Sequence, residues 1–276
     1  MIVLGFDTAT SASAVGLRLA DGATLRARDD PAPGERPGHA TRLLGMSAQL
    51  LAEAGIGWGA IERIAAGVGP GRFTGLRVGI ATARGLAQSL GVELVGVSSL
   101  RALAAPVVWS QTVAAAEHPA GAYDGEDLED VDLEGVLTVI DARRGEVFAG
   151  AYAREDRSVI GGARAGVRSD DLNDPHELAG PRALAPQDLG RVIEEAPSTA
   201  TGAHPARWVA VGDGAVLCRE QLQALEVRVP SEDSPLHKVS GEAICALATG
   251  ADAMAIETVL PDYRRRPDAE LALERV

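Results

Sequence analysis

The 276 residues carry a formal net charge of −13 and an isoelectric point near 4.8, and 46% of them are hydrophobic. A chain of this length buries one large core or two lobes, and so acidic a surface repels nucleic acid except where basic residues cluster. Two cysteines, Cys218 and Cys245, exclude a disulfide framework and predict buried thiols in a reducing compartment.

The start of the chain reaches Asp7 without the basic segment of a signal peptide, and no apolar run is long enough to span a membrane. The predicted location is therefore cytoplasmic. Aromatic residues make up only 3%, so the core is built from Ala, Val, Leu and Ile.

Residues 2–6 and 14–20 are apolar runs around the small polar turn DTATSAS, which predicts a β-hairpin. LRARDD extends it with a third strand. After a Pro/Gly loop at 31–38, residues 40–54 predict a helix. Its stripe contains Leu43, Leu44, Ser47, Leu50, Leu51 and Ala54, and Gly55 stops it. A strand follows at about 62–68, then a helix from Thr74 as cap to Leu90, closed by Gly91. VELVGVSSL is a strand, with Ser98–Ser99 capping a further helix. The order β-β-β-α-β-α-β-α implies a mixed sheet with helices on its faces.

Residues 111–134 break this pattern. Seven acids lie between Asp124 and Glu134 with no base among them, which predicts a solvated, mobile insertion. VLTVIDARRGEVFAGAYA then repeats the opening: strand, short turn with Asp, strand. VIGGARAGVR predicts another strand. The Pro-, Asp- and Ala-rich 169–206 predicts one weak helix near Pro186. WVAVGDGAV is a strand running into a Gly turn, and Ser240 starts a helix near 240–256. Two regions opening with one kind of hairpin suggest an internal duplication. The predicted division is a first lobe over 1–100, completed by the helix near 240–256, and a second lobe over 101–239.

The candidate chemistry is sparse. Asp7 and Thr8 end a strand at a hairpin and fit either an Asx-turn or a phosphate turn, although the turn Thr8-Ala9-Thr10 lacks the glycine that lets backbone approach a phosphate. His39 opens the first long helix, but Leu43 stands where a second metal ligand belongs, so no metal is predicted and His39 reads as a capping or surface residue. No Walker A loop and no G-x-S-x-G elbow occurs. Arg143–Arg144 and Arg264–Arg266 are the tight basic clusters.

The segment GVGPGRFTGLRVGIATARG over 67–85 holds six glycines. Gly69, Gly71 and Thr74 fit a phosphate-binding helix start. Gly75 and Gly79, four apart, equally fit close packing of a helix face, with Leu76, Ile80, Ala83 and Leu86 filling the contact. Composition does not separate the two.

FDTATSASAVGL, H-x3-LL in the first helix, GVGPGRFTGLRVGIATARGLA, IDARRGEVFAG and PDYRR occur in this order over most of the chain. In these blocks the sequence resembles the TsaB (YeaZ) family. The resemblance implies an α/β, two-lobed ASKHA fold (actin, Hsp70, sugar kinases), with mixed sheets and flanking helices.

It also implies a role in making N6-threonylcarbamoyladenosine at position 37 of tRNAs that read codons starting with A. There the chain is a non-catalytic subunit that pairs with TsaD, the relative carrying a His-x3-His metal pair, with TsaE in a larger complex. No cofactor is implied, and tRNA is met mainly through the complex. The apolar stripes of the two long helices then supply the expected interface, Leu43, Leu44, Leu50, Leu76, Ile80, Ala83 and Leu86, used against TsaD or in a homodimer. Asp7, Thr8, Gly69, Gly71 and Thr74 are then a vestigial phosphate loop. A metallopeptidase of glycoprotease type and a weak nucleotide-binding ASKHA ATPase are the competing classes.

Overall fold

A computed structural model describes residues 1–32, 34–110, 133–154, 174–196 and 207–265. Strands β1 (Val3–Asp7) and β2 (Ser13–Arg18) are buried at nearly every position, because both faces of their sheet are covered by helices. They form the predicted antiparallel hairpin. β3 (Thr24–Asp29) alternates toward solvent at the sheet edge. α1 (His39–Glu53) follows, then β4 (Arg63–Gly69), α2 (Phe73–Leu90), β5 (Glu93–Ser98) and α3 (Ser99–Ser110). The sheet order is β3-β2-β1-β4-β5, with β4 parallel to β1 and β5 parallel to β4.

The second sheet repeats the plan. β6 (Gly135–Arg143) and β7 (Glu146–Arg154) make an antiparallel hairpin, β8 (Pro175–Leu184) lies outside β7, and β9 (Trp208–Val211) runs parallel to β6. Its order is β8-β7-β6-β9. α4 (Leu189–Glu194), α5 (Asp213–Leu217) and α6 (Arg219–Ala224) cover its outer face, and α7 (Gly241–Gly250) closes the helix set.

These elements stack in layers. α1 and α2 share a core with one face of the first sheet. α3 and α7 lie between the sheets, and α4–α6 share the core on the far face of the second. α3 is buried along almost its whole length, which explains why it shows no amphipathic stripe. Its Ala102, Ala104 and Ala105 let two sheets share one helix layer. α7 packs on β1 and β2, and a Cβ at Gly241 would fall on the backbone of Val15.

The structure differs from the sequence reading at several points. Leu44 turns away from the buried stripe of α1 and is 50% exposed, whereas Leu43, Ser47, Leu50 and Leu51 face inward. Thr74 does not cap α2, which starts at Phe73 with Arg72 at the cap position. The helix after Ser240 ends at Gly250, and Ser240 Oγ accepts from the Ala243 N–H at 3.0 Å. The Pro-rich region holds a strand, β8, that was not expected. Its prolines are tolerated because an edge strand leaves one side of its backbone unpaired. The acidic segment through Asp132, the strand expected at 159–168 and the tail beyond Arg265 lie outside the described residues.

Candidate functional site

The 67–85 segment meets the first hairpin turn. Gly71, Gly75 and Gly79 recur at every fourth residue, so they share one side of α2 and its entry loop. A Cβ at Gly71 would overlap the Ala9 carbonyl, one at Gly75 the Thr8 carbonyl, and one at Gly79 the Thr8 hydroxyl. The bonds that close this contact are specific. Thr8 Oγ1 donates to the Gly75 carbonyl at 2.8 Å, and the Arg72 N–H donates to the Ala9 carbonyl at 2.7 Å.

Both carboxylate oxygens of Asp7 are also engaged. Oδ1 accepts from the Ala9 N–H at 2.8 Å, and Oδ2 accepts from the Ser99 hydroxyl. Gly67 leaves the space this carboxylate fills. Burial pushes the Asp7 carboxyl above the usual carboxylate range, against the opposing pull of those two hydrogen bonds.

His39 belongs to the same plug. It is buried rather than on the surface, with Nδ1 2.8 Å from Ser13 Oγ and Nε2 close to where a Cβ on Gly75 would stand. Desolvation pulls its pKa down, which favours a neutral ring. His39 therefore ties the start of α1 to β2 beside the glycine face of α2.

The expected phosphate-loop residues do converge here. Asp7, Thr8, Gly71 and the start of α2 are neighbours, and Gly69 (φ +102°) sits against Leu76. They converge by packing on one another. Thr74 alone of the set stands in solvent, in the exposed first turn of α2.

The expected docking residues require correction. Leu43, Leu50, Leu76, Ile80 and Ala83 are at most 3% exposed, and Leu43, Leu50, Ile80 and Ala83 fill the chain's own core against the first sheet. Of the seven, Leu44 is exposed and Leu86 half-buried. What α1 and α2 present outward includes Leu44, Gly45 and Ala48, then Ala81, Gly85 and Gln88, among polar residues such as Arg42, Gln49 and Ser89. A Cβ at Gly45 or at Gly85 would meet nothing within 4 Å. Glycine in an exposed helix interior costs about 1 kcal/mol relative to alanine. Among the described residues no neighbour accounts for either one. The signal for Gly85 in the sequence is a mid-helix glycine out of step with 71, 75 and 79.

The sequence profile for TsaD, tRNA N6-adenosine threonylcarbamoyltransferase, matches residues 36–272. Among curated relatives, TsaB of Escherichia coli is 35% identical over 159 residues, 58% of this chain and 58% of that protein. TsaB of Haemophilus influenzae is 33% identical over 42% of this chain and 41% of its own length. The solved structure of YeaZ from Pseudomonas aeruginosa superposes with a TM-score of 0.63 at 26% identity, covering 95% of this chain and all of that one.

The chain belongs to this family, on its TsaB (YeaZ) branch. It spans a little over half the length of the E. coli relative it matches, and less of the H. influenzae one. The fold is the two-lobed ASKHA type: two mixed sheets, each opened by a hairpin, with helices between and outside them. Among the described residues no helix is long and apolar enough to cross a membrane.

Proposed function

We propose that this protein acts in the biosynthesis of N6-threonylcarbamoyladenosine in tRNA, as a non-catalytic subunit that pairs with a TsaD-type transferase. TsaE joins the larger assembly, and tRNA is met mainly through the complex. The observation that carries the reading is the filled first turn. Transfer chemistry needs an electrophile held and polarised by donors or a metal. Here Asp7, Thr8 and Ala9 use their polar groups on Ser99, Gly75 and Arg72, and the glycine face of α2 occupies the space beyond. His39 is committed to Ser13, and Leu43, four residues on, is core.

The partner face is the outer surface of α1 and α2 around Leu44, Gly45, Ala48, Ala81, Gly85 and Leu86. Small residues on adjacent helices let a partner's helices approach closely, and an exposed leucine among them supplies apolar area. A second copy of the chain uses the same face when the partner is absent.

The test is co-elution with the TsaD-type partner. Leu44→Glu and Gly85→Arg both fall in solvent, so each variant keeps the native circular dichroism and melting behaviour. Loss of co-elution in these folded variants is expected. Co-elution retained by both contradicts the assignment of this face.

A further inference from the structure

Residues 251–265 leave α7 as a strap that follows the edge of the first sheet and then the side of α2. Arg63, at the start of β4, donates to the Ala248 carbonyl and, at 2.8 Å, to the Ala251 carbonyl. It thereby closes the end of α7 and fixes where the strap begins. The Met254 N–H donates to the Leu94 carbonyl at 2.9 Å, on the edge strand β5. Val259 drops into the first-lobe core at 1% exposed, and the Asp262 N–H donates to the Val68 carbonyl at 2.8 Å.

α2 holds the strap from the side. Arg84 Nη2 donates to the Glu257 carbonyl at 2.7 Å, and Arg77 Nε donates to the Tyr263 hydroxyl at 2.9 Å. The Tyr263 ring stacks on Phe73 with centroids 5.1 Å apart, and the Arg77 guanidinium lies 3.8 Å from the Phe73 centroid. As far as Tyr263, therefore, the strap belongs to the first lobe.

Two residues later it reaches the second. Arg265 Nη1 donates to the Ala142 carbonyl at 3.0 Å, and its Nε lies 3.1 Å from Glu146 Oε2. The hold is taken at a defect in the β6–β7 ladder. Asp141 pairs with Val147 and Arg143 with Glu146, so Ala142 between them has no partner in the register. Ala142 is buried, where a carbonyl needs a donor. Arg265 brings that donor from the other lobe.

The α3–α7 layer joins the sheets in another way, through apolar side chains, with the small Ala102, Ala104 and Ala105 on α3. Packed helix layers slide by small shear displacements, whereas a charge-assisted hydrogen bond fixes one geometry. The Arg265–Glu146 contact is also partly open to solvent, at 21% and 42% exposed side chains. Segments held by few backbone bonds and by exposed side-chain bonds open at lower free energy than the core.

We propose that residues 251–265 form a releasable latch between the two lobes, with Arg265 as its hook and the β6–β7 bulge as its catch. Latched, it holds the β6–β7 turn at a fixed distance from α2. Released, it lets the second lobe shift on the α3–α7 layer. The latch stands whether or not the chain pairs with a transferase.

Electron–electron double resonance on the full chain tests it, with spin labels at Thr74→Cys on α2 and Gln223→Cys on α6. Both positions are exposed, and the native Cys218 and Cys245 are buried. The labelled parent gives one dominant distance. Arg265→Ala raises the population at a second distance by about tenfold, from the loss of one charge-assisted hydrogen bond. Arg265→Glu has at least that effect, because it faces Glu146, and the swap Arg265→Glu/Glu146→Arg recovers part of the parent distribution. Arg191→Ala, an exposed arginine on α4, leaves the distribution unchanged. Melting curves establish that each variant is folded. A distribution indifferent to both Arg265→Ala and Arg265→Glu overturns the latch. A charge swap that leaves the Arg265→Glu distribution where it was also overturns it, because the pairing with Glu146 is then not what holds the lobes.

Discussion

The β1–β2 and β6–β7 hairpins are built alike and end differently. In both, an antiparallel pair carries an aspartate at its turn, and a parallel strand flanks the first strand of the pair. The difference lies in the helix that follows the parallel strand. After β4, Gly71, Gly75 and Gly79 bring α2 onto the turn itself, at Thr8 and Ala9. After β9, the close approach falls deeper. A Cβ at Gly212 or Gly214 would meet the backbone of Val139 and Ile140, inside strand β6. Asp213 Oδ1 accepts from the Asp141 N–H at 3.0 Å, one step short of the turn. The helix after β9 therefore leaves the second turn uncovered, with Arg143 and Arg144 exposed at φ +66° and +57°. Whether such a turn is sealed or open is set by the register of small residues on the neighbouring helix, not by the aspartate.

The largest effect follows from breaking the sealed side. Leu76 is fully buried between α2 and its surroundings. Leu76→Glu places a charge in the core and costs more than about 4 kcal/mol, so the chain loses its cooperative thermal transition. A folded Leu76→Glu variant that fails only to pair would restore Leu76 to the docking surface and contradict its place in the core.

A smaller effect sharpens the comparison within one helix. Gly79→Ala drives a methyl into the Thr8 hydroxyl and costs about 1–3 kcal/mol by overpacking. Gly85→Ala meets nothing and gains about 0.5–1 kcal/mol from helix propensity. Urea denaturation of both variants reads the opposite signs. Equal destabilisation by the two would mean that the glycines serve the helix alike and that the seal is not specific.

The glycine pattern shows how far the sequence reached. Gly75 and Gly79 were legible as a packing face, and so was the order of strands and helices through Ser110. What was not legible was the object they pack on. Nothing local in GVGPGRFTG states that the Thr8–Ala9 turn, sixty residues earlier in the chain, lies against it. Leu43, Leu50, Leu76 and Ile80 looked like a docking stripe because a buried stripe and a docking stripe have one period. The sheet, not the helix, decides between them.

β8 was missed because prolines at 175 and 181 suppress a strand reading, although an edge strand admits them. The arginine clusters were visible singly. Their meeting depends on segment 262–265 returning to the β6–β7 turn, where Arg265 donates to the Ala142 carbonyl and pairs with Glu146, and no local pattern encodes that return.

The smallest effect is electrostatic. Burial raises the folded-state pKa of Asp7 above its usual value of 3.8. The folded chain therefore holds that proton more tightly than the unfolded chain. The group favours folding at low pH and loses that advantage as pH rises through the carboxylate range. Asp7→Asn lacks the titration. The stability of the wild type relative to Asp7→Asn should fall as pH rises above about 4, while effects common to both chains cancel. Denaturation midpoints of the two across this range check the slope. A difference that grows in favour of the wild type with rising pH would mean that Asp7 is stabilised as the anion.

Reconstituted tRNA threonylcarbamoylation tests the partner-subunit account most directly, with the TsaD-type partner and the remaining components held constant. Two folded variants are compared in it: Asp7→Asn in the sealed turn, and Gly85→Arg on the outer face of α2. The account predicts that Asp7→Asn supports modification close to the wild-type level, while Gly85→Arg loses it together with the partner. Modification abolished by Asp7→Asn with the complex intact, and sustained by Gly85→Arg, would contradict it and assign the first turn a direct part in the chemistry.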